Sequence, residues 1–195
     1  MHERHRAIRA FVDESESNRA KDPDTYLVGA VVVGSEDAAA VRERIAALKL
    51  RGQSKLHWRD ESDRRRRQII RTVADMPVTA VLAAHVDADR APEARRHRAL
   101  RTLLPALSSL GVTRVELESR GRAADQRDRK LFDGMRRSHM FGEDPPPMRI
   151  EHPVGHAEPG LWIADAICGA VVSARCGDPA FVNALGARLR LLDAP

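Results

Sequence analysis

Residues 7–14, AIRAFVDE, and 26–34, YLVGAVVVG, decide the fold between them. Each is an apolar run of strand length, and the second is rich in valine. The polar stretch SESNRAKDPDT (15–25) separates them, so the pair reads as a hairpin with a long connection. The end of the first run raises a question. FVDESES (11–17) follows core residues with Asp13 and Glu14, two adjacent carboxylates. Like charges repel, and carboxylates are costly to bury. Either the strand has ended and its acids face water, or something positive belongs there.

Working outward, Ser35 opens a helix in SEDAAAVRERIAALKL, an N-cap residue followed by first-turn acids. RGQSKLHWRDES (51–62) is a loop with a short extended piece at Lys55–Trp58. A second helix, DRRRRQIIRTVADM (63–76), carries four consecutive arginines. PVTAVLAAHVD (77–87) reads as the third strand. Pro92 starts a long helix that Gly111 ends. VTRVELESRG (112–121) is a strand, RAADQRDRKLFDGMRRSHM (122–140) an amphipathic helix and FGEDPPP (141–147) a rigid loop. MRIEHPV (148–154) is a short strand, GLWIADAICGAVVSARCG (160–177) an apolar helix, and PAFVNALGARLRLLD (179–193) a short closing helix.

The order is β-β-(α-α insert)-β-α-β-α-β-α-α, with the insert spanning 35–76 of one domain of 195 residues. Three early strands suit a meander, and the later alternation calls for parallel neighbours with right-handed crossovers. A mixed β-sheet flanked by α-helices, with a helical insert between the second and third strands, is the α/β order of an RNase H-like fold.

Composition narrows the function classes. Hydrophobic residues make up 43%, enough for a packed core. Aromatics are 4%, so stacking of bases on aromatic platforms is not the theme. A net charge of +5 gives a modest attraction to nucleic acid. Cys168 and Cys176 lie too far apart on one helix to bridge, and no CxxC pair offers a zinc framework. MHERHRAIRA is too charged for a secretory signal, and no apolar stretch reaches membrane-spanning length. The expectation is a soluble cytoplasmic protein with no membrane partner. Neither a phosphate-binding GxxxxGK[ST] loop nor a nucleophile elbow is present.

Two further acids stand out. In VELESR (115–120), alternation puts Val115 and Leu117 on one face and Glu116, Glu118 and Arg120 on the other. Glu118 ends its strand as Asp13 ends its own. Parallel neighbours would bring both acids to one sheet edge, where open α/β sheets place ligands. An exposed edge strand with solvated glutamates is the competing reading. Asp165 sits alone in LWIADAICGAV (161–171). If buried, it must be paired, neutralised or metal-bound. Otherwise it marks a polar stripe facing water or an arginine.

FVDES, VELESR and LWIADAICGAV together resemble the domain-of-unknown-function 3800 family, which is similar to RNase H-like nucleases. The resemblance implies that Asp13 is the first-strand acid, Glu118 the later-strand acid and Asp165 the helix acid. One departure is the DESE of residues 13–16, where relatives show Asp-Glu-Ser-Gly; it changes the turn and adds an acid. Such a trio suits phosphodiester hydrolysis with Mg²⁺ or Mn²⁺, in which two ions about 3.5–4 Å apart activate a water and stabilise the leaving oxygen. Asp13 would bridge the ions; Glu118 and Asp165 would each hold one.

Other candidates are secondary. In KLHWRDE (55–61), Lys55, His57 and Arg59 alternate. An extended piece would show them on one side, with His57 as a proton-transfer group and Lys55 and Arg59 facing phosphate. A solvated loop anchored by Trp58 explains the same residues. Arg120 is a further nucleic-acid contact. Asp128, or less well Asp125, offers a fourth metal ligand or an ion-pair partner for arginine. His85 and Asp87 read as structural. RRRR (64–67) covers all sides of its helix, so it is no single groove-reading face. His152 and His156 are separated by proline and glycine, so helical ligand spacing does not apply.

The expected function is a divalent-metal-dependent nuclease, or a related phosphodiester-processing enzyme, acting on DNA or RNA. The alternative is a noncatalytic RNase H-like nucleic-acid-binding or assembly module of a mobile-element or defence system.

Overall fold

A computed structural model of the chain describes residues 7–142, 145 and 147–193. Six strands form one sheet in the order β5-β4-β1-β2-β3-β6. β1 (Ile8–Glu16), β2 (Thr25–Gly34) and β3 (Thr79–Val86) make the antiparallel meander. β4 (Val112–Leu117) pairs parallel to β1, and β5 (Arg149–Glu151) parallel to β4. The parallel second half of the sheet follows from the helices that separate its strands in sequence.

Alternation along β1 sets the two layers. Ala10 and Val12 face α3 (Pro92–Ser109) and α4 (Arg122–Arg137). On α3, Leu100, Leu103, Leu104 and Leu107 repeat at helical spacing and fill that core. Each such side chain contributes roughly 1.5–3 kcal/mol of burial. Phe11, between Ala10 and Val12, faces α5 (Pro159–Arg175). The insert helices α1 (Ala38–Ala46) and α2 (Asp63–Ala74) belong to this second core through Val41, Ile45, Ile69, Ile70 and Val73. α2 and α5 also pack on α6 (Ala180–Leu185).

Four local expectations need correction. Ser35 does not cap α1; Asp37 occupies the cap position, after a turn in which Asp37 N donates to Gly34 O. Lys55–Trp58 forms no strand, and Trp58–Asp60 is a 3-10 turn. The closing segment is α-helical only to Leu185, and a 3-10 turn at Gly186–Arg188 follows. Gly186 stops the α-helix with φ 52°, and Leu189–Asp193 forms β6, parallel to β3. Leu185 and Leu189 have helical spacing, but the exposed flank of β3 offered a backbone ladder. Finally, β4 ends at Leu117, so strand alternation does not extend to Arg120. Within FGEDPPP, residues 143, 144 and 146 lie outside the described residues, as do residues 1–6 of MHERHRAIRA. Among the described residues, no helix is long and apolar enough to cross a membrane.

Candidate functional site

The strand does not end before Asp13. Asp13 lies inside the β1–β2 ladder opposite Gly29, with 7% of its surface exposed. The β1–β4 ladder, however, closes at Val12 opposite Leu117, and Glu118 N donates to Val12 O at 3.1 Å. Asp13 and Glu118 therefore leave adjacent parallel strands one step past their last pair, and both point toward α5. α5 supplies Asp165 from its second turn. Two strand ends and one helix thus converge on one acidic spot.

The electrostatics follow from the convergence. Burial first, then the charges of Glu118 and Asp165, push the Asp13 carboxyl well above the usual carboxylate range. A hydrogen bond from Glu14 N to Asp13 Oδ1, 2.8 Å, opposes the rise, and a side-chain hydrogen bond with Glu118 adds to it.

The loop before α2 delivers three groups to these acids. Lys55 Nζ lies 2.9 Å from Glu118 Oε1. His57 Nδ1 lies 2.9 Å from Asp165 Oδ2, and Trp58 N donates to the same oxygen at 2.7 Å. The bond to Asp165 raises the His57 pKa above its ordinary value, against burial. Two glycines make the geometry possible. A Cβ on Gly169 would lie 2.1 Å from the Trp58 ring, and one on Gly155 would lie 1.8 Å from Glu118 Oε1. Trp58 rests edge-on against Phe181, 4.9 Å between ring centres.

His57 and Asp165 open onto a groove of about 870 Å³ that is also lined by Arg19, Arg59, Arg66 and Ser173. Arg66 is partly committed, donating to Trp58 O at 3.1 Å and standing over the Trp58 ring. The RRRR run divides by face: Arg65 and Arg66 turn inward to Glu61 and the Trp58 loop, while Arg64 and Arg67 are exposed.

The structure brings together Asp13, Glu118, Asp165, His57 and Lys55, with Arg59 on the groove wall. It does not bring Asp128 or Arg120 to them. Both lie with Glu14, the residue that points opposite to Asp13. Arg96, fully buried, grips Asp128 through two bonds of 2.5 and 2.9 Å and also contacts Glu14. Arg120 pairs with Glu14 at 3.2 Å and with Glu93 at 3.0 Å. Tyr26 donates to Glu14 at 2.8 Å. Burial alone would raise the Asp128 pKa, but His152 and Arg96 hold it down at about 2. Asp125 instead accepts from Ser119 and Arg120 N at the start of α4. Glu116, expected beside Glu118, is on the right face but held by Arg9, Arg42 and Arg114.

Sequence reading missed the Trp58 amide, Gly155 and Arg96. Arg96 had a signal: it lies one turn before Leu100 on the apolar stripe of α3. Gly155 had none, because its role depends on contact across the fold.

By donor type Asp13, Glu118 and Asp165 suit a divalent cation; their carboxylate oxygens do not all lie within 4.8 Å of one another. All three supply hard carboxylate oxygens, the type Mg²⁺ and Mn²⁺ prefer. The Lys55 ammonium already stands where positive charge is favoured, and Gly155 leaves clearance beside Glu118. Among the described residues, Glu93, His97 and Asp128 are the one group whose ligand atoms all lie within 4.8 Å of one another. That group fits a cation poorly, since Arg96, Arg120 and Arg127 already neutralise its acids.

No protein-family profile matches the sequence, and no curated protein matches it. Solved structures do. One is a chain of the PCNA:RNase HII complex from Archaeoglobus fulgidus, with TM-score 0.55, 13% identity, and coverage of 86% of this chain and 74% of that one. Another is a mutant of Bst-RNase HIII, with TM-score 0.50, 14% identity, and coverage of 87% of this chain and 53% of that one. This chain thus spans about half the length of the second protein. At these identities the likeness is one of fold, and the fold is RNase H-like.

Proposed function

We propose that this chain is a divalent-metal-dependent nuclease, or a related phosphodiester-processing enzyme, and that it belongs with the domain-of-unknown-function 3800 proteins it resembles. One observation carries the reading. Asp13, Glu118 and Asp165 come from separate elements, repel one another, and still meet beside a groove with arginines on its wall. A fold tolerates that repulsion when a cation relieves it.

Asp13, Glu118 and Asp165 would form the acidic centre that takes Mg²⁺ or Mn²⁺. When bound, the ion supplies an activated water and charge stabilisation at the phosphate. The chain's own residues do the rest. Asp165 orients His57 through Nδ1, leaving Nε2 to exchange a proton with a group in the groove. Trp58 N fixes Asp165 Oδ2, so the helix acid cannot rotate freely. Arg59 and Arg19 offer positive charge to a phosphate backbone along the groove. The solved RNase HII and HIII proteins support the class of chemistry through fold alone.

The test is cleavage of labelled single-stranded, duplex and hybrid oligonucleotides with Mn²⁺, Mg²⁺ or EDTA, by wild type and Asp13→Ala. The reading expects metal-dependent cleavage that the substitution abolishes. Nucleic-acid binding without turnover on any substrate would instead support the noncatalytic module.

A further inference from the structure

Lys55 has a position that the groove does not explain. Its ammonium sits on the carboxylate cluster rather than along the arginine-bearing wall. It contacts Glu118 Oε1 at 2.9 Å and feels the charges of Asp13 and Asp165 as well. The contact is confined: Nζ lies 3.3 Å from where a Gly155 Cβ would be, so the backbone of Gly155 closes one side.

We propose that Lys55 takes the place of one of two divalent ions, making this a one-ion centre in which Asp13 and Asp165 hold the cation and Lys55 neutralises Glu118. The inference rests on the carboxylate–metal reading above and replaces the two-ion expectation drawn from sequence.

Charge counting supports it, and so do the donors that already meet each acid. Counted as full formal charges, the state in which carboxylates bind a cation, the three acids and the Lys55 ammonium sum to −2. One divalent cation cancels that charge; a second would leave an excess of the same size. Each acid has also committed an oxygen to a protein donor: Asp13 to Glu14 N, Glu118 to Lys55, and Asp165 to His57 and Trp58 N. Lys55 comes from the insert loop that also anchors Asp165, so ammonium and helix acid are placed by the same segment.

The test counts Mn²⁺ ions bound per chain, by electron paramagnetic resonance of the free ion, up to millimolar metal. It uses wild type, Lys55→Gln, Lys55→Arg and Asp13→Asn. Wild type and Lys55→Arg should each bind one ion. Lys55→Gln should bind two, or bind the first at least about tenfold more tightly, since a unit charge a few ångströms away has been removed. Two ions in wild type would overturn the proposal whether or not the variants fold. So would one ion with unchanged affinity in folded Lys55→Gln. No binding to wild type, or binding that Asp13→Asn leaves intact, would instead remove the carboxylate–metal reading on which the proposal stands.

Discussion

Trp58 N donates to Asp165 Oδ2 at 2.7 Å, and the Trp58 ring occupies the space that a side chain at residue 169 would need. The insert loop is thereby fastened to α5 at the acid and one turn beyond it. This fastening predicts the effect of Gly169→Ala. The new methyl would meet the indole at 2.1 Å, so the loop must shift. Overpacking of this kind costs about 1–3 kcal/mol. Urea unfolding followed by tryptophan emission should show the loss, together with weaker cleavage. Unchanged stability and activity would mean that the loop is not fixed by this contact.

Gly155→Ala should separate activity from stability. Its Cβ would coincide with the Glu118 carboxylate rather than with a core side chain. Glu118 can swing aside, so the circular dichroism spectrum should be unchanged. Displacing this acid from the centre should lower kcat by at least about tenfold, a barrier increase of about 1.4 kcal/mol. Activity within about twofold of wild type would argue against a role for Glu118.

Asp13 links pH to stability. Its folded-state pKa is raised by burial and by Glu118 and Asp165. Stability is therefore full below the unfolded pKa of about 3.9 and is lost as pH rises through the folded value. In EDTA at neutral or higher pH, Asp13→Asn should melt above wild type, by about 2–4 °C for each kcal/mol relieved. Mn²⁺ should raise the melting temperature of wild type and leave Asp13→Asn unmoved. Calorimetry with and without metal checks both signs, and a metal response retained in the variant would contradict the assignment.

Asp128 gives the opposite sign. Its pKa is held at about 2 by His152 and Arg96, below the unfolded value. Its contribution is present above about pH 4 and disappears as pH falls toward about 2. Asp128→Asn leaves the buried Arg96 short of a partner, which costs about 3–5 kcal/mol at neutral pH. Denaturant unfolding should show the gap between variant and wild type narrowing from about pH 4 to about pH 2. A constant gap would mean that Asp128 is not ionised in the fold.

The parts of this architecture written in local patterns were legible in the sequence. Continuous or alternating apolar runs marked β1 to β5, and 3.6-residue spacing marked α3 and α5. The acids of the site were legible because each breaks such a pattern: Asp13 within a buried strand, Glu118 just past one, Asp165 on an apolar helix. What was hidden depended on contacts between distant segments. β6 resembled a helix because Leu185 and Leu189 are four apart, and only pairing with β3 decides otherwise. Arg120 looked like a neighbour of Glu118 until β4 ended at Leu117. Asp128 has the composition of a metal ligand and the surroundings of an ion pair, and only the position of Arg96 distinguishes the two.

The most direct measurement is anomalous scattering from crystals soaked in Mn²⁺. The account predicts a peak about 2.1 Å from carboxylate oxygens of Asp13 and Asp165, the spacing of a hard cation on oxygen. A peak at Glu93, His97 and Asp128 instead, or full occupancy with Asp13 uncoordinated, would contradict it.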